Sequence, residues 1–388
     1  MQWLISGVHA LSSVLRVGNV HFVDYMARRG EQILYLPAPV SPLHFLLRRG
    51  DQRFRERSVL WRRGPNEKDE HVLEYAPMTL LPVLAKRPFD SSFALKRSLR
   101  WTIPRLRSVL DKAGFREPDV LVTTNLQYAY LDQQVSPRRH VYWCKDDIHA
   151  FSHAPRCLLQ AEEDLLKRVD LSIATSEYLA ERLRARGGKQ VVCVRNGADV
   201  KRFVSGDARK APAAITELPE PRIIYAGIIN ERVNLDWIVA AASRLPEAQF
   251  LLVGPAAMNL SALTPVENIH ILGAVAPSKL PGIYAACQVG IIPFRRTPLV
   301  ESTCPIKLYE YLAAGLPVVA TRWSELESMN APVRLVDDAD AFSSALCEAL
   351  DSANDSRATA ARKAYAAGNS WESRFNAMRD IIQSADDA

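Results

Sequence analysis

The 388-residue chain lacks the marks of several large protein classes. It has no Cys-x-x-Cys pair: its six cysteines (Cys144, Cys157, Cys193, Cys287, Cys304 and Cys347) are scattered. That spacing argues against a metal knuckle or a disulfide framework and fits a reducing compartment. The 17 glycines form neither G-x-G-x-x-G nor G-x-x-x-x-G-K-[ST], which disfavours NAD enzymes and P-loop enzymes. No apolar run approaches the roughly 18 to 20 residues needed to cross a bilayer. The start, MQWLISGVHALSSVLRVGNVHF, lacks a basic leader and a small-residue cleavage site, and it reads as a buried first strand. No D-x-D motif falls in a loop after a strand, and DDAD (337–340) instead begins a late helix. Metal-independent chemistry is therefore expected, with no metal ligands and no cofactor. No short-period repeat or nucleic-acid-binding module is visible.

The length suits two domains of roughly 190 residues each, and 48% hydrophobic with 24% charged residues describes a soluble globular chain. The net charge of +6 is uneven: residues 1–197 hold 31 Lys and Arg against 21 Asp and Glu, residues 198–388 hold 18 against 22. Much of the excess lies in 43–64 and 93–110, where basic residues alternate with Leu, Phe and Trp. Such a surface suits anionic lipid headgroups, at about 1 kcal/mol per basic residue. A solvated face over ordinary core positions is the competing reading.

Strand and helix signals alternate throughout, as in α/β proteins with parallel sheets. The first half offers strands at 2–6, 33–36, 120–124, 140–144, 171–175 and 191–194, with an amphipathic segment opened by Asn19 and closed by Gly30. Ser176 caps a helix that a double glycine ends. The stretch 196–221, rich in Pro, Ala and charge and without a period, reads as a linker. RIIYAG, QFLLVG, NIHILG, QVGIIPF and PVVAT then supply a second set of strands. The expected domains are 1–197 and 198–370, with 371–388 a helix returning toward the first.

The most informative segment is TPLVESTCPIKLYEYLAAGLPVVAT (297–321). Pro305 is tolerated at a helix start, and a helix N-terminus with unpaired N–H groups suits a diphosphate. Lys307 adds a full charge at that end. Glu310, three residues on, shares its face and is suited to accept from ribose hydroxyls. A buried helix with Lys307 and Glu310 as a surface ion pair is the plainer alternative. It leaves a lysine at the positive helix end, which is unfavourable without an anion.

These residues resemble a known family. PIKLYEYLAAGLPVVAT is similar to the donor-binding segment of many GT-B glycosyltransferases, and NGAD (196–199) to the turn leaving their first domain. GNVHFVDYMARRG (18–30) and VYWCKDDIHAF (141–151) resemble xanthan-type glucuronosyltransferases and related exopolysaccharide-assembly enzymes. The resemblance implies two Rossmann-like domains facing across a cleft, with C-terminal helices crossing back. It implies diphosphate binding by Lys307, ribose binding by Glu310 and a nearby Tyr309. Gly227 opens the loop GIINERVN after the first strand of the second domain, the usual crevice position for ligands, where Arg232 is the only cation.

Retaining members of the wider superfamily carry two glutamates with seven residues between them. Counting back from Glu310, the first of the pair would fall at Ser302, with Glu301 one residue off, so an inverting mechanism with a general base is expected. Asp146, after the strand VYWC, matches the catalytic aspartate of the xanthan-type enzymes. Asp147 is the rival, or a cap for the next helix, and His149 and His153 are neighbours able to tune either. His9 and Asn19, in the first loop and at its end, are the candidate acceptor contacts. The resulting expectation is transfer from a nucleotide-diphosphate sugar, a UDP-sugar favoured, onto a lipid-linked or saccharide acceptor in cell-surface polysaccharide assembly. It places the protein in the cytoplasm, peripheral on the inner membrane face, without nucleic acid. A sugar-nucleotide epimerase and a catalytically inactive membrane-associated binding protein are the rival classes.

Overall fold

A computed structural model describes residues 1–13, 18–47, 51–86, 88–263 and 265–384. Residues 14–17 of the first loop and 48–50 of the basic stretch lie outside the described residues. The chain divides into two units, Met1–Arg195 with Phe375–Ala388, and Asn196–Arg374.

The first unit is built on an eight-stranded sheet. Its strands are β1 (Gln2–Ser6), β2 (Gln32–Leu36), β3 (Asn66–Asp69), β4 (Val72–Glu74), β7 (Val120–Thr123), β8 (Arg139–Cys144), β9 (Leu171–Ala174) and β10 (Val191–Cys193). Between β4 and β7, β5 (Met78–Thr79) and β6 (Thr102–Ile103) form a separate two-stranded ribbon. The sheet order is β10-β9-β8-β7-β1-β2-β4-β3, parallel except for β3. Strands such as VLVT are buried on both faces, as parallel sheets require. The edge strand β3 is the charged NEKD, which discourages pairing with another chain. The chain winds outward from β1 through β2 and β4, then returns to β7 and winds the other way. The order thus reverses between β1 and β7, and ligands of such sheets bind outside the strands' carboxyl ends at that reversal. A bridge between Val40 and Met78 sets the ribbon just beyond β2 on this rim.

The second unit carries six parallel strands: β11 (Arg222–Ala226), β12 (Gln249–Val253), β13 (Ile269–Gly273), β14 (Val289–Ile292), β15 (Val318–Thr321) and β16 (Arg334–Val336). Their order is β13-β12-β11-β14-β15-β16, the doubly wound order, with its reversal between β11 and β14. One large core runs through the unit. The helix Ile306–Ala314 packs on Ser356–Ala367, where Tyr309 and Tyr365 stack at 6.4 Å. The turn after the first unit is tied down within the second: Ala198 bridges Ser370. A Cβ on Gly197 would lie 2.8 Å from the backbone of Ser370 and Trp371. From Phe375 the last helix belongs to the first unit, where Phe375 meets Phe22 at 5.1 Å.

Candidate active site

The segment 305–310 lies where the strand order of the second unit reverses. Pro305 takes the N-cap position in an extended conformation and the helix begins at Ile306, so the proline precedes the first turn. Lys307 then falls in that first turn, where the N–H groups of Ile306 and Lys307 come before the first helical bond, Leu308 N–H to the Pro305 carbonyl at 3.1 Å. Its Nζ lies 3.8 Å from the centroid of the Tyr225 ring and 5.0 Å from that of Phe294. Gly227, directly after β11, is what lets it sit there. Its φ is +140°, and a Cβ would come within 2.8 Å of Nζ. Gly254, after β12, is pressed onto the Gly227 carbonyl, which a Cβ would meet at 1.9 Å. The helix is fixed to β11 by the Tyr311 hydroxyl, which accepts from the Ala226 N–H at 2.7 Å.

The charges at this point are unbalanced. Burial pulls the Lys307 ammonium down to about 7, with Glu310 opposing and the nearby cation of Arg232 adding to the fall. Arg232 keeps its Nε buried without a hydrogen-bond partner. Neither side chain makes an ion pair among the described residues. Glu310 accepts from the Tyr284 hydroxyl at 3.2 Å. Burial raises its carboxyl, while Tyr284 and Lys307 work the other way. Two incompletely compensated cations, a helix N-terminus and a carboxylate one turn away can receive an anionic group with a polyol beside it.

Tyr309 and Glu301 are both engaged by neighbouring groups. Tyr309 is fully buried, with its hydroxyl 3.5 Å from the Cys304 sulfur and its ring on Tyr365. It packs as a core aromatic, on the side of the helix away from Lys307 and Glu310. Glu301 accepts from the Ser324 hydroxyl at 2.6 Å and amide at 2.9 Å, and pairs with Arg296 at 3.4 Å. Burial alone would raise its carboxyl, but these partners outweigh burial and hold it low. Ser302 is buried and donates to the Leu299 carbonyl.

In the first unit, Asp146 is exposed at the carboxyl end of β8. Asp147, by contrast, is engaged in structural contacts. It is buried, accepts from the His149 amide at 3.1 Å as the cap of the short helix Ile148–Ala150, and pairs with Arg186 at 3.0 Å. His149 is engaged with the buried Glu162 at 3.1 Å, while His153 is exposed. Asn19 is buried, and its Nδ2 donates to Thr124 Oγ1 at 2.8 Å, fastening the start of its helix to the end of β7. His9 is half-buried after β1, and burial lowers its pKa, followed by Arg53, Arg57 and Lys145. Nothing in the segment VYWCKDDIHAF singles out Lys145, and only the fold reveals that its Nζ is buried 3.9 Å over the Trp143 ring. No group of three or more His, Cys, Asp or Glu able to hold a metal occurs among the described residues.

Residues 220–352 match the family described as Glycosyl transferases group 1. That match lies within the second unit. A protein of Bacillus subtilis (strain 168), TuaH, named for a glycosyltransferase of teichuronic acid biosynthesis, is 28% identical over 185 residues, 46% of each chain. The chain thus matches about half the length of that curated relative. Solved structures extend the likeness over the whole chain. Sucrose-phosphate synthase from Thermosynechococcus elongatus superposes with a TM-score of 0.71 at 18% identity, covering 99% of both chains. HepE from Anabaena, in complex with UDP and glucose, gives 0.65 at 14% identity, covering 98% of this chain and 99% of its own. These chains share the GT-B fold expected for the group 1 glycosyl transferases.

Proposed function

We propose that this GT-B chain transfers a sugar from a UDP-sugar to a lipid-linked or saccharide acceptor in cell-surface polysaccharide assembly. The observation that carries the reading is Lys307: a desolvated ammonium seated against Gly227, with Arg232 as a second cation and no anion paired to it. A diphosphate supplies the missing charge. The UDP bound by HepE and the name of TuaH favour a uridine nucleotide and a polysaccharide product.

In the proposed reaction an acceptor hydroxyl oxygen attacks the anomeric carbon of the donor. The bond from that carbon to the β-phosphate oxygen breaks, and UDP leaves with the electron pair. Lys307, Arg232 and the N–H groups at Ile306–Lys307 stabilise that charge, each charge-assisted contact contributing about 1.5–3 kcal/mol. Glu310 orients the ribose. Asp146 takes the acceptor's proton, giving inversion at the anomeric carbon. Glu301 is committed to Ser324 and Arg296, which favours this course over retention.

Membrane attachment belongs to the same reading. Around the β5–β6 ribbon, Leu80 (46%), Trp101 (51%) and Ile103 (50%) are exposed, and Arg62, Arg63, Arg100, Arg105 and Arg107 are exposed with them. The ribbon holds these apolar groups rigidly, since Leu80 N–H donates to the Trp101 carbonyl and Trp61 Nε1 to that of Ile103. No helix among the described residues is long and apolar enough to cross a membrane. Peripheral contact with anionic lipid on the cytoplasmic face is the proposed arrangement.

The test is to incubate the protein with a panel of UDP-sugars, with and without membrane-extracted lipid-linked saccharides, following donor and product by NMR. Acceptor-dependent release of UDP with inversion at the transferred sugar is expected. Conversion of the donor sugar without acceptor would make the protein an epimerase, and absence of both reactions would make it a binding protein.

A further inference from the structure

Asp146 stands between two fixed stretches of the first unit's backbone. Upstream, Thr175, just past β9, donates its N–H to the Cys144 carbonyl at 3.1 Å and its hydroxyl to the Lys145 carbonyl at 3.2 Å. Downstream the chain leaves the sheet, and a closed ring of side chains holds it. Asp147 Oδ1 accepts from the His149 N–H at 3.1 Å and from Arg186 Nη2 at 3.0 Å. Glu162 Oε2 accepts from Arg186 Nη1 at 3.2 Å and lies 3.1 Å from His149 Nε2. A carboxylate only accepts, so Nε2 carries the hydrogen. Arg186 and His149 thus each donate to both carboxylates, and the circuit closes. Its members come from three elements: the turn after β8, the helix Arg156–Leu166 and the end of the helix Glu177–Ala185. Tyr142 on β8 donates to Glu162 Oε1 at 2.6 Å, which returns the circuit to the strand that leads to Asp146.

Asp147 and Glu162 are buried, and buried carboxylates are costly unless paired and hydrogen-bonded. That need alone does not require the His149 ring. Glu162 already has Tyr142 and Arg186, and Asp147 has Arg186, the His149 amide and Arg182 at 3.7 Å. What the imidazole adds is a tie from the turn after Asp146 to the neighbouring helix. Without it that turn is held only at Asp147. We propose that His149, Glu162 and Arg186 are positioning residues, whose ring with Asp147 fixes the backbone beyond Asp146 and so sets where its carboxylate meets the acceptor hydroxyl. The role given to Asp146 rests on the transferase reading above, whereas the rigidity of its backbone is testable without transfer.

The experiment uses the full chain isotopically labelled at aspartate, with the Asp146 amide assigned by Asp146→Asn. Its NMR order parameter is expected at about 0.85 in the parent and below about 0.6 in His149→Ala. His149→Gln, whose Nε2 can take the place of the imidazole Nε2, should restore the parent value. Turnover is read in parallel with the UDP-sugar panel and membrane-extracted lipid-linked saccharides. His149→Ala should lower kcat roughly 10- to 100-fold, the scale of a misplacement of about 1 Å. Donor KM and UDP affinity should stay unchanged, and His149→Gln should recover most of the loss. In the Asp146→Asn background the same substitution should cost less than about twofold, because it acts through the missing carboxylate. An Asp146 amide as rigid in His149→Ala as in the parent overturns the proposal. A loss of kcat that persists in full in the Asp146→Asn background overturns it equally. Glu162 keeps Tyr142 and Arg186 in His149→Ala, so that variant is expected to fold. Should it not, Arg186→Lys, which keeps the charge and loses the fork, decides by the same readings. A parent without turnover whose Asp146 amide still loosens in His149→Ala would remove the transferase reading and leave the clamp standing.

Discussion

Lys307→Met removes the charge at the proposed diphosphate site while keeping a flexible apolar side chain of similar length. In the empty protein the ammonium is held near half ionisation at neutral pH, by burial first and by Arg232 in addition. A bound diphosphate relieves that state through charge-assisted hydrogen bonds, each contributing about 1.5–3 kcal/mol net. Losing one such interaction predicts UDP affinity about 10- to 150-fold weaker by calorimetry. Stability should respond differently. Replacing a desolvated charge by an apolar side chain is often neutral or stabilising, and the lost contact with Tyr225 and Phe294 returns about 0.5–2 kcal/mol. The unliganded variant is therefore expected within about 1 kcal/mol of the parent in urea denaturation. Unchanged UDP affinity would refute the reasoning. A stability loss of about 3 kcal/mol or more, typical of breaking a buried ion pair, would make the lysine a structural partner of Glu310.

Three further outcomes follow from the same geometry. Because the folded Lys307 pKa of about 7 lies below its ordinary 10.5, the unfolded chain binds more protons between those values. That group's contribution to unliganded stability thus rises with pH across the window, while UDP affinity, which requires the proton, falls by up to about tenfold per pH unit above 7. Denaturation and calorimetry between pH 6 and about 9 read the two opposite slopes. Asp146→Asn should lower kcat about 10²- to 10⁴-fold with UDP affinity intact, whereas Asp147→Asn should cost about 3 kcal/mol of stability by weakening the buried pair with Arg186. Gly227→Ala meets both a φ of +140° and the Lys307 Nζ. It should lose about 1–3 kcal/mol of stability and weaken UDP binding in the same measurements.

The sequence was most readable where local chemistry and fold agree. Short apolar runs such as QWLIS and VLVT became β1 and β7 because both their faces are covered. Pro305, Lys307, Glu310 and Gly315 marked a helix whose ends the structure reproduces at Ile306 and Ala314. The glutamates and aspartates were harder. Asp146 and Asp147 are adjacent and chemically alike, and only the arrival of Arg186 from nine residues beyond Glu177 separates a buried cap from an exposed carboxylate. Tyr309 depends on Tyr365, far along the chain, to be drawn into the core. The two-residue strands β5 and β6 carry no period to detect, so the exposed ribbon emerges only from tertiary pairing. Lys145 shows the same limit: a lysine beside two aspartates reads as a solvated turn until the Trp143 ring beneath it is known.

The central claim is that the turn at 305–307 grips a diphosphate. Calorimetric titration of the unmodified protein with uridine, UMP and UDP in turn tests it most directly. Affinity should climb with each phosphate, UDP binding at least about 100-fold more tightly than uridine, as two charge-assisted contacts imply. Equal affinity across the series, or no binding of UDP at all, would contradict it.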